Sequence, residues 1–269
     1  MKATQKRIFI TGIASGIGRA AAEKFISEGH EVYGIDVRAG APEKAISFIA
    51  DVTDTDAVAR VSEELRQRDI TLDVIINAAG VHGMYSLVEG DYAKMRRLVE
   101  INLLGAMQVN RALHPLLAKG GRIVIVTSEV APLDPMPFNG LYSVSKCALD
   151  CYAQALRQEL NLIGQSVVTV RPGAIETPLA RGALSATENL ADGTALYEGQ
   201  AHHFLSLTKK FMGTPISPEK LALLIYRAAT VKKPRLVYSK NRNLGLILLS
   251  ILPKRLQCAV IKLLLNRAK

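Results

Sequence analysis

Seven short apolar runs, rich in β-branched residues, are spaced along the first 240 residues of the chain. The runs are not broken by regular polar alternation, which is typical of strands that are buried on both faces of a parallel sheet. In chain order they are RIFITG, EVYGID, AISFIAD, LDVIINAAG, GRIVIVTS, SVVTVRPG and PRLVYS.

Segments with helical periodicity lie between these runs and predict helices over residues 19–28, 54–67, 91–117 and 142–162. Strands that alternate with helices form β-α-β units with right-handed crossovers, and repeated units build a doubly wound sheet. The chain has no Pro-, Gly- or Ser-rich linker and no internal repeat. The pattern therefore predicts a single α/β domain over residues 1–240, with about seven parallel strands and helices on both faces.

Residues 176–215 interrupt this rhythm, because the segment is long, polar in places and contains four glycines. Loops of this length in a compact domain are typically functional lids or disordered. The segment follows the sixth strand, at the carboxyl edge of the sheet where ligands bind in this architecture. We therefore expect it to be a substrate lid.

Composition narrows the class of protein. Apolar residues make up 49% and charged residues 22% of the 269 residues, as in a folded globular protein. The three cysteines, Cys147, Cys151 and Cys258, do not make a disulfide framework and lack the second cluster that a zinc site needs. The first residues show no apolar core of a signal peptide. We expect a reduced, cytoplasmic protein without a metal.

The net charge of +10 is concentrated near the C-terminus, where residues 209–269 hold 14 Lys or Arg and a single acid, Glu219. The tail, residues 241–269, also has an apolar run that is too short to span a bilayer before Pro253 interrupts it. It predicts two short helices that resemble an interfacial anchor at the inner face of a membrane. Packing on a partner subunit or over the substrate pocket is the alternative. Nucleic acid is not expected, since the tail lacks stacking aromatics. The bases on or beside these helices are Lys254, Arg255, Lys262, Arg267 and Lys269.

A glycine-rich turn, TGIASGIG, directly follows the first strand and opens the first helix. Gly12 permits a tight turn, Gly16 lets the backbone approach a pyrophosphate, and Gly18 allows close helix packing. Three residues separate the first two glycines, where the general dinucleotide fingerprint has one. Its position between strand and helix nevertheless indicates a dinucleotide site, to which Ser15 and Ile17 also belong.

Asp36 ends the second strand, near the position where an acid accepts hydrogen bonds from the adenosine ribose. A carboxylate there repels a 2′-phosphate, so NAD is favoured. Arg38 is a guanidinium that could pair with that phosphate, so NADP stays open. Asp51 and Val52 end the third strand, where they could hold the adenine edge, although Asp51 could instead cap the next helix.

Six motifs together resemble the short-chain dehydrogenase/reductase family, whose members have a Rossmann-type fold. TGIASGIG, NAAG, EINLLG, VTS, YSVSK and RPGAIET occur in the order and at the spacing of that family. The match covers residues 6 to about 178 and continues more loosely to about 240. The resemblance implies roles for several residues within these motifs.

Tyr142 resembles the general acid/base that gives a proton to a carbonyl oxygen or takes one from an alcohol. Lys146, one helical turn away, adds a positive charge that should lower the pKa of Tyr142, and in the family it also binds the nicotinamide ribose. Ser128 resembles the serine that hydrogen-bonds the substrate oxygen, with Thr127 as a nearby alternative. Asn102 resembles the asparagine that holds a water in a proton path through Lys146, although local hydrogen bonding alone would also explain it.

The resemblance assigns further cofactor contacts. Ile175 and Thr177 would contact the nicotinamide carboxamide, and Pro172-Gly173 would flank it, although Pro172-Gly173 could be only a strand-ending turn. The histidines match no catalytic position, and the pair at 202–203 suits a solvated loop better than a metal site. From the NAAG motif the family contacts are Asn77, Ala78 and Ala79.

These features together predict an oxidoreductase that transfers a hydride between NAD(H) and a secondary alcohol or ketone. The lid and tail suggest a lipophilic substrate of the steroid, retinoid or long-chain type. One alternative is an NADPH-dependent 3-oxoacyl-[acyl-carrier-protein] reductase, in which a basic patch would meet the acidic carrier. Another is a non-catalytic dinucleotide-binding module, although such a module would be expected to lose Ser128, Tyr142 or Lys146. The resemblance also implies a homodimer or homotetramer.

Overall fold

The computed structural model describes residues 4–211 and 213–266. Within these residues the strands form one parallel sheet in the order β3-β2-β1-β4-β5-β6-β7, which confirms the predicted doubly wound architecture. Each predicted apolar run contributes one strand. The strands are β1 (Arg7–Thr11), β2 (Glu31–Asp36), β3 (Ile46–Ile49), β4 (Leu72–Asn77), β5 (Leu117–Val126), β6 (Ser166–Pro172) and β7 (Val237–Lys240).

Ten α-helices connect or follow these strands in the described residues. Several begin at a side chain that accepts a backbone N–H of the first turn, as Asp54 does for the helix after β3 and Asp91 for the helix after β4. The helices are α1 (Gly16–Ser27), α2 (Thr55–Gln67), α3 (Tyr92–Val99), α4 (Ala106–Leu113), α5 (Gly140–Asn161), α6 (Pro178–Gly193), α7 (Glu198–Phe211), α8 (Pro218–Thr230), α9 (Leu244–Ile251) and α10 (Lys254–Leu265).

Each face of the sheet carries its own hydrophobic core. Along β1, Phe9 belongs to the core under α2, α4 and α5, whereas its neighbours Ile8 and Ile10 belong to the core under α1 and α8. Side chains of a strand point alternately to opposite faces, so an unbroken apolar run is what two buried faces require.

The helix predicted over residues 91–117 is interrupted. A π-helical turn, Glu100–Gly105, separates α3 from α4, and a 3-10 turn at His114–Leu116 leads into β5, which begins at Leu117. A Cβ added at Gly105 would lie 2.6 Å from Cγ2 of Val52, so the turn packs closely on the end of the preceding βα unit. Such π turns insert one extra residue per turn and are frequent at functional sites.

The segment 176–215 is not an irregular loop, because α6 and α7 form within it. Thr177 accepts the backbone N–H of Ala180, and Pro178 occupies the first helical position, where its missing N–H costs nothing. The inner sides of these helices join a third apolar cluster, here called the cap. It comprises Met84, Met136, Phe138, Leu190, Ala191, Tyr197, Ala201, Phe204, Leu205, Leu207, Ile261 and Leu265.

The tail forms the two predicted short helices, α9 and α10, separated by Pro253. Among the described residues, no helix is both long and apolar enough to cross a bilayer. Two of the bases assigned to the tail, Arg267 and Lys269, lie outside the described residues.

Candidate active site

The glycine turn lies at the carboxyl end of β1, where the strand order reverses between β1 and β4. Gly12 and Gly16 adopt positive φ angles of 73° and 54°, which favour glycine. A Cβ added at Gly18 would lie 2.2 Å from the carbonyl oxygen of Gly12, so α1 packs directly on the turn. All three glycines are therefore required by the backbone.

The amino end of α1 is open to an anion. Ser15 is its N-cap, and among the described residues no side chain caps the helix there and no acid lies in its first turn. Free N–H groups and the positive end of the helix dipole suit a pyrophosphate. The turn, including Ser15 and Ile17, therefore fits the dinucleotide that the sequence predicts.

Two opposite charges border the expected ribose position beside this turn. Oδ2 of Asp36 accepts the N–H of Ala14 at 3.0 Å, and Oδ1 accepts the N–H of Arg38 at 3.1 Å. The Arg38 guanidinium in turn donates to Oγ of Ser15 at 3.3 Å. An acid that favours a free 2′-hydroxyl and a base that favours a 2′-phosphate thus meet at one place.

Asp51 is held by its neighbours rather than capping a helix. Its Oδ1 accepts the N–H and the hydroxyl of Thr53 at 2.9 and 2.8 Å, and its Oδ2 pairs with Arg97. Burial raises the pKa of Asp51, but the Thr53 hydrogen bonds and the Arg97 ion pair outweigh burial and lower the pKa. Asp54 caps α2 instead, so the alternative role for Asp51 is wrong. Val52 is buried against the π turn.

The NAAG motif follows β4 and is tied to β1. The Thr11 hydroxyl accepts the backbone N–H groups of Ala78 and Ala79 at 3.1 and 3.0 Å. Nδ2 of Asn77 donates to Oδ1 of Asn110 at 2.7 Å, whereas its buried Oδ1 has no hydrogen-bond partner within the described part of the chain. Asn77 thus ties β4 to α4, and its Oδ1 can accept one further hydrogen bond.

Tyr142 and Ser128 meet at the carboxyl end of β5, and both are buried. Burial raises the pKa of Tyr142 to about 12, the Ser128 hydrogen bond opposes this rise, and the negative charge of Glu129 adds to it. Thr127 turns away from the site, since its hydroxyl lies 3.3 Å from Oδ1 of Asp150. Of the two candidate hydroxyls, that of Ser128 is therefore the one beside Tyr142.

Lys146 is buried one turn after Tyr142, and its Nζ lies 5.9 Å from the centroid of the Tyr142 ring. Nζ donates to the carbonyl oxygen of Val126 at 3.5 Å. Burial lowers the pKa of Lys146 to about 8. The expectation that Lys146 lowers the pKa of Tyr142 is not met in the chain alone, because desolvation of the phenolate is the larger effect.

Asn102 lies on the π turn, and its side chain is satisfied by nearby groups. Its Nδ2 donates to the carbonyl of Val81 at 2.9 Å and to Oγ of Ser145 at 3.1 Å, while its Oδ1 accepts the N–H of Val81 at 2.8 Å. Ser145 donates in turn to the carbonyl of Tyr142. A Cβ added at Gly80 would lie 3.2 Å from Oδ1 of Asn102 and 3.4 Å from Nζ of Lys146, so Gly80 leaves room for both.

The RPGAIET segment leaves β6 and crosses the front of the glycine turn. Gly173 donates to the carbonyl of Lys240, and a Cβ added there would lie 1.8 Å from the carbonyl oxygen of Asn241, so this position does require glycine. Thr177 is buried and its Cγ2 would be 3.3 Å from a Cβ at Gly16. The buried Ile175 and the end of β6 at Pro172 thus lie beside the turn that would hold the dinucleotide.

Two groups beside Tyr142, the half-buried His82 and the buried Glu129, belong to none of the sequence motifs and were given no role there. The His82 ring lies 4.3 Å from the Tyr142 ring between centroids, and burial lowers the pKa of His82 to about 4. Glu129 follows Ser128, its Oε2 accepts the N–H of Asn243 at 2.5 Å, and burial raises its pKa. Their positions, shortly after NAAG and VTS, are the signals that could have identified them.

Three other histidines, His30, His114 and His203, have structural partners, and His30 accepts the N–H of Lys6 at 3.1 Å. Nε2 of His114 lies 2.9 Å from Oε1 of Gln165, and Nδ1 of His203 lies 2.9 Å from the carbonyl oxygen of Leu265. Across the described residues, no group of three or more His, Cys, Asp and Glu side chains is suited to hold a metal ion. The three cysteines are free and exposed.

Comparison with known proteins places this arrangement in a family. A family model described as short chain dehydrogenase matches residues 6–188. Retinol dehydrogenase 5 of Mus musculus is 29% identical over 99% of this chain and 91% of its own. A 3-ketodihydrosphingosine reductase of Bacteroides thetaiotaomicron is 28% identical over 84% of each chain.

Solved structures show the same fold. A short-chain dehydrogenase from Streptomyces avermitilis superposes with a TM-score of 0.73 at 24% identity, over 97% of this chain and 95% of the other. A short chain dehydrogenase from Burkholderia cenocepacia in complex with NADP gives a TM-score of 0.73 at 20% identity, over 97% and 98%. The chain belongs to the short-chain dehydrogenase family and is an NAD(P)-dependent oxidoreductase.

Proposed function

We propose that the protein transfers a hydride between NAD(H) and a secondary alcohol or ketone of lipophilic character. The observation that carries this proposal is the group of Ser128, Tyr142 and Lys146, buried together beside the glycine turn. When bound, the dinucleotide supplies or accepts the hydride. The protein's task is then to orient the substrate oxygen and to move its proton.

In this proposal Tyr142 exchanges the proton of the substrate oxygen. Its raised pKa keeps the phenol protonated at neutral pH, ready to donate to a carbonyl oxygen as negative charge develops there. Ser128 donates a second hydrogen bond to the same oxygen. Lys146 would bind the nicotinamide ribose, and Asn102 would hold the Val81 loop and Ser145 in place around the phenol.

The proposed dinucleotide contacts follow the geometry of the turn. The backbone of the turn and the amino end of α1 would bind the pyrophosphate, and Asp36 would bind the adenosine ribose. The orphaned Oδ1 of Asn77 supports a further polar contact there. The remaining proposed contacts are Asp51 and Val52 near the adenine, Ala78 and Ala79 beside the ribose, and Pro172, Gly173, Ile175 and Thr177 around the nicotinamide.

The cap supports a lipophilic substrate. Residues from the segment after NAAG, from the loop before α5, and from α6, α7 and α10 form this cluster. Phe138 stacks edge-on against Tyr197 and Phe204, with 5.5 Å between ring centroids in both pairs. Phe138 also precedes Tyr142 by four residues in the chain, and we propose that the cap borders the substrate position beside the phenol.

A substrate series tests this proposal. We would measure kcat/KM from nicotinamide absorbance for 2-alkanones and 2-alkanols of increasing chain length, with NAD(H) and NADP(H). We expect kcat/KM to rise about fourfold per methylene for as long as each added methylene contacts the cap. Tyr142→Phe should lower turnover by about 10²–10⁴-fold while cofactor binding is retained.

Three results would overturn the proposal or one of its parts. Full turnover by Tyr142→Phe would show that Tyr142 is not the general acid/base. No dependence on chain length would remove the lipophilic substrate, and turnover only of a carrier-linked 3-oxoacyl group with NADPH would favour the reductase alternative.

We also propose a homodimer or homotetramer, with α4 and α5 at the interface. The exposed side chains Leu104, Met107 and Val144 lie on or beside these helices and support such a contact. Light scattering of the purified protein would give the mass, and a monomer would contradict this proposal.

A further inference from the structure

Helix α9 displays an apolar face to solvent. Leu244, Leu248 and Ile251 are spaced i, i+4 and i+7, so they lie on one side of the helix. These three side chains are 72%, 66% and 72% exposed, and none of the eight described residues of α9 is buried. A contiguous exposed apolar face on a soluble domain indicates an interaction site.

The helix is nevertheless fixed to the domain. Asn243, its N-cap, donates its N–H to the buried Glu129, and the hydroxyl of Ser250 accepts the N–H of Asp134 at 3.1 Å. At its other end, the carbonyl of Leu249 accepts Nε2 of Gln257 at 3.3 Å. The apolar face is therefore held in a defined position.

Helix α10 also exposes aliphatic side chains and adds positive charge. Its inner side contributes Ile261 and Leu265 to the cap. On its outer side Leu256 and Leu263 are half to two-thirds exposed, two turns apart, and the exposed Arg255 and Lys262 lie next to them. We call the five exposed aliphatic side chains with these two bases the tail surface.

The positive charge of the tail indicates which kind of partner can bind the tail surface. The sequence has no Asp or Glu from Lys220 to its end. The two acids that contact the tail are both engaged, since Glu129 accepts the N–H of Asn243 and Asp134 is paired with Lys254 and bonded to Gln257. A second copy packed on the same surface would bring the bases of both copies together, which costs energy. Aliphatic side chains bordered by bases suit the headgroup and acyl boundary of an anionic bilayer.

We propose that the tail surface docks the protein onto an anionic lipid bilayer. Helices α9 and α10 lie in the plane of the interface, with their exposed leucines and Ile251 inserted and with Arg255 and Lys262 at the headgroups. Because α10 also supplies part of the cap, docking brings the cap next to the lipid phase. This proposal does not depend on the hydride-transfer assignment.

Point substitutions test the docking, since deleting the tail would also remove Leu265 from the cap. We would measure sedimentation of the full-length protein with phosphatidylcholine vesicles, with and without phosphatidylserine. The test variant is Leu244→Ser/Leu248→Ser/Ile251→Ser, and the matched control is Leu162→Ser/Ile163→Ser. The control residues are equally exposed but follow α5, at the opposite edge of the sheet.

We expect the wild-type protein and the control to bind vesicles that contain phosphatidylserine. The triple variant should bind at least about tenfold more weakly, because its aliphatic side chains no longer enter the interface. Arg255→Glu/Lys262→Glu should lose about tenfold on anionic vesicles, whereas Lys232→Glu/Lys233→Glu, between α8 and β7, should lose much less.

Turnover of a short, water-soluble substrate should be unchanged in the triple variant, so loss of docking and loss of function are distinguishable. Equal vesicle binding by the triple variant and the wild type would overturn the proposal. A different outcome would favour an interface between copies instead. In that outcome the wild-type protein does not sediment with vesicles, and the triple variant has a lower mass in solution than the wild type.

Discussion

The imidazole of His82 lies against the phenol of Tyr142, with the ring centroids 4.3 Å apart and the planes tilted by 46°. Burial lowers the pKa of His82 to about 4, so the ring is neutral at pH 7. In the unfolded chain its pKa returns to about 6.5, and the unfolded state therefore binds a proton first as the pH falls. We expect the free energy of unfolding to drop by up to about 3 kcal/mol between pH 6.5 and pH 4.

Denaturant unfolding of His82→Phe checks this expectation, because phenylalanine keeps a ring beside Tyr142 but cannot titrate. The difference between wild type and variant should change with pH below 6.5 and stay constant above it. His202→Gln, at an exposed position, should follow the wild type. Identical pH dependence in wild type and His82→Phe would contradict a buried, neutral His82.

The raised pKa of Tyr142 predicts different pH profiles for the two reaction directions. With a pKa of about 12 the phenol is a ready proton donor, whereas it must lose its proton before it can act as a base. We expect kcat/KM for ketone reduction to change little between pH 6 and 9. For alcohol oxidation it should rise with pH, by up to about tenfold per unit. An oxidation rate that peaks below pH 7 would show that another group takes the proton.

The close approach of Gly105 to Val52 predicts that replacing Gly105 with alanine destabilises the protein at the π turn. A Cβ at Gly105 would lie 2.6 Å from Cγ2 of Val52, so Gly105→Ala should cost about 1–3 kcal/mol of unfolding free energy. Gly182→Ala is the control, because its Cβ would meet no atom within 4 Å in the described structure, and it should stabilise α6 by up to about 1 kcal/mol.

Denaturant unfolding of the double variant Gly105→Ala/Val52→Ala identifies the cause. If overpacking is responsible, the two substitutions together should cost less than the sum of the single effects. If the two single substitutions have additive effects on the free energy of unfolding, the cost of Gly105→Ala arises in the backbone of the π turn instead.

The positions of Asp36 and Arg38 beside the glycine turn predict how each residue affects the preference for NAD or NADP. Asp36→Ser removes a carboxylate that repels a 2′-phosphate, so the ratio of kcat/KM with NADP to that with NAD should rise at least about tenfold. Arg38→Ala should lower the same ratio. Titration of both dinucleotides with each variant measures the change, and a ratio unmoved by Asp36→Ser would exclude contact with the ribose.

The sheet was predictable because strands that are buried on both faces require unbroken runs of apolar, β-branched residues, and such runs are visible in the sequence. The motifs likewise identified Ser128, Tyr142 and Lys146, which the fold brings together. The π turn was not predictable, since one inserted residue barely disturbs a helical period. The lid helices were overlooked because their glycines suggested a loop, although Gly182 and Gly193 lie within α6.

The pKa values of the site residues depend on how the folded chain packs around them, which a short sequence motif does not reveal. Spacing places Lys146 near Tyr142, but the pKa of the phenol follows from how completely the folded chain excludes water around it. His82, which matches no catalytic position, and Glu129 received no role from the sequence for the same reason, because the groups that they contact lie far away in the chain. Glu129, for example, bonds Asn243, which is more than a hundred residues distant.

The cap draws most of its residues from helices that follow position 178, whereas the glycine turn, Ser128 and the YSVSK helix all precede that position. In the proposed function, the residues that hold the dinucleotide and exchange the proton therefore precede position 178, whereas most of the side chains that would contact a lipophilic substrate follow it. We expect that exchanging residues 178–266 for those of a relative would transfer substrate preference without altering the proton-exchanging groups, provided that Asn243, which holds Glu129 beside Tyr142, is kept.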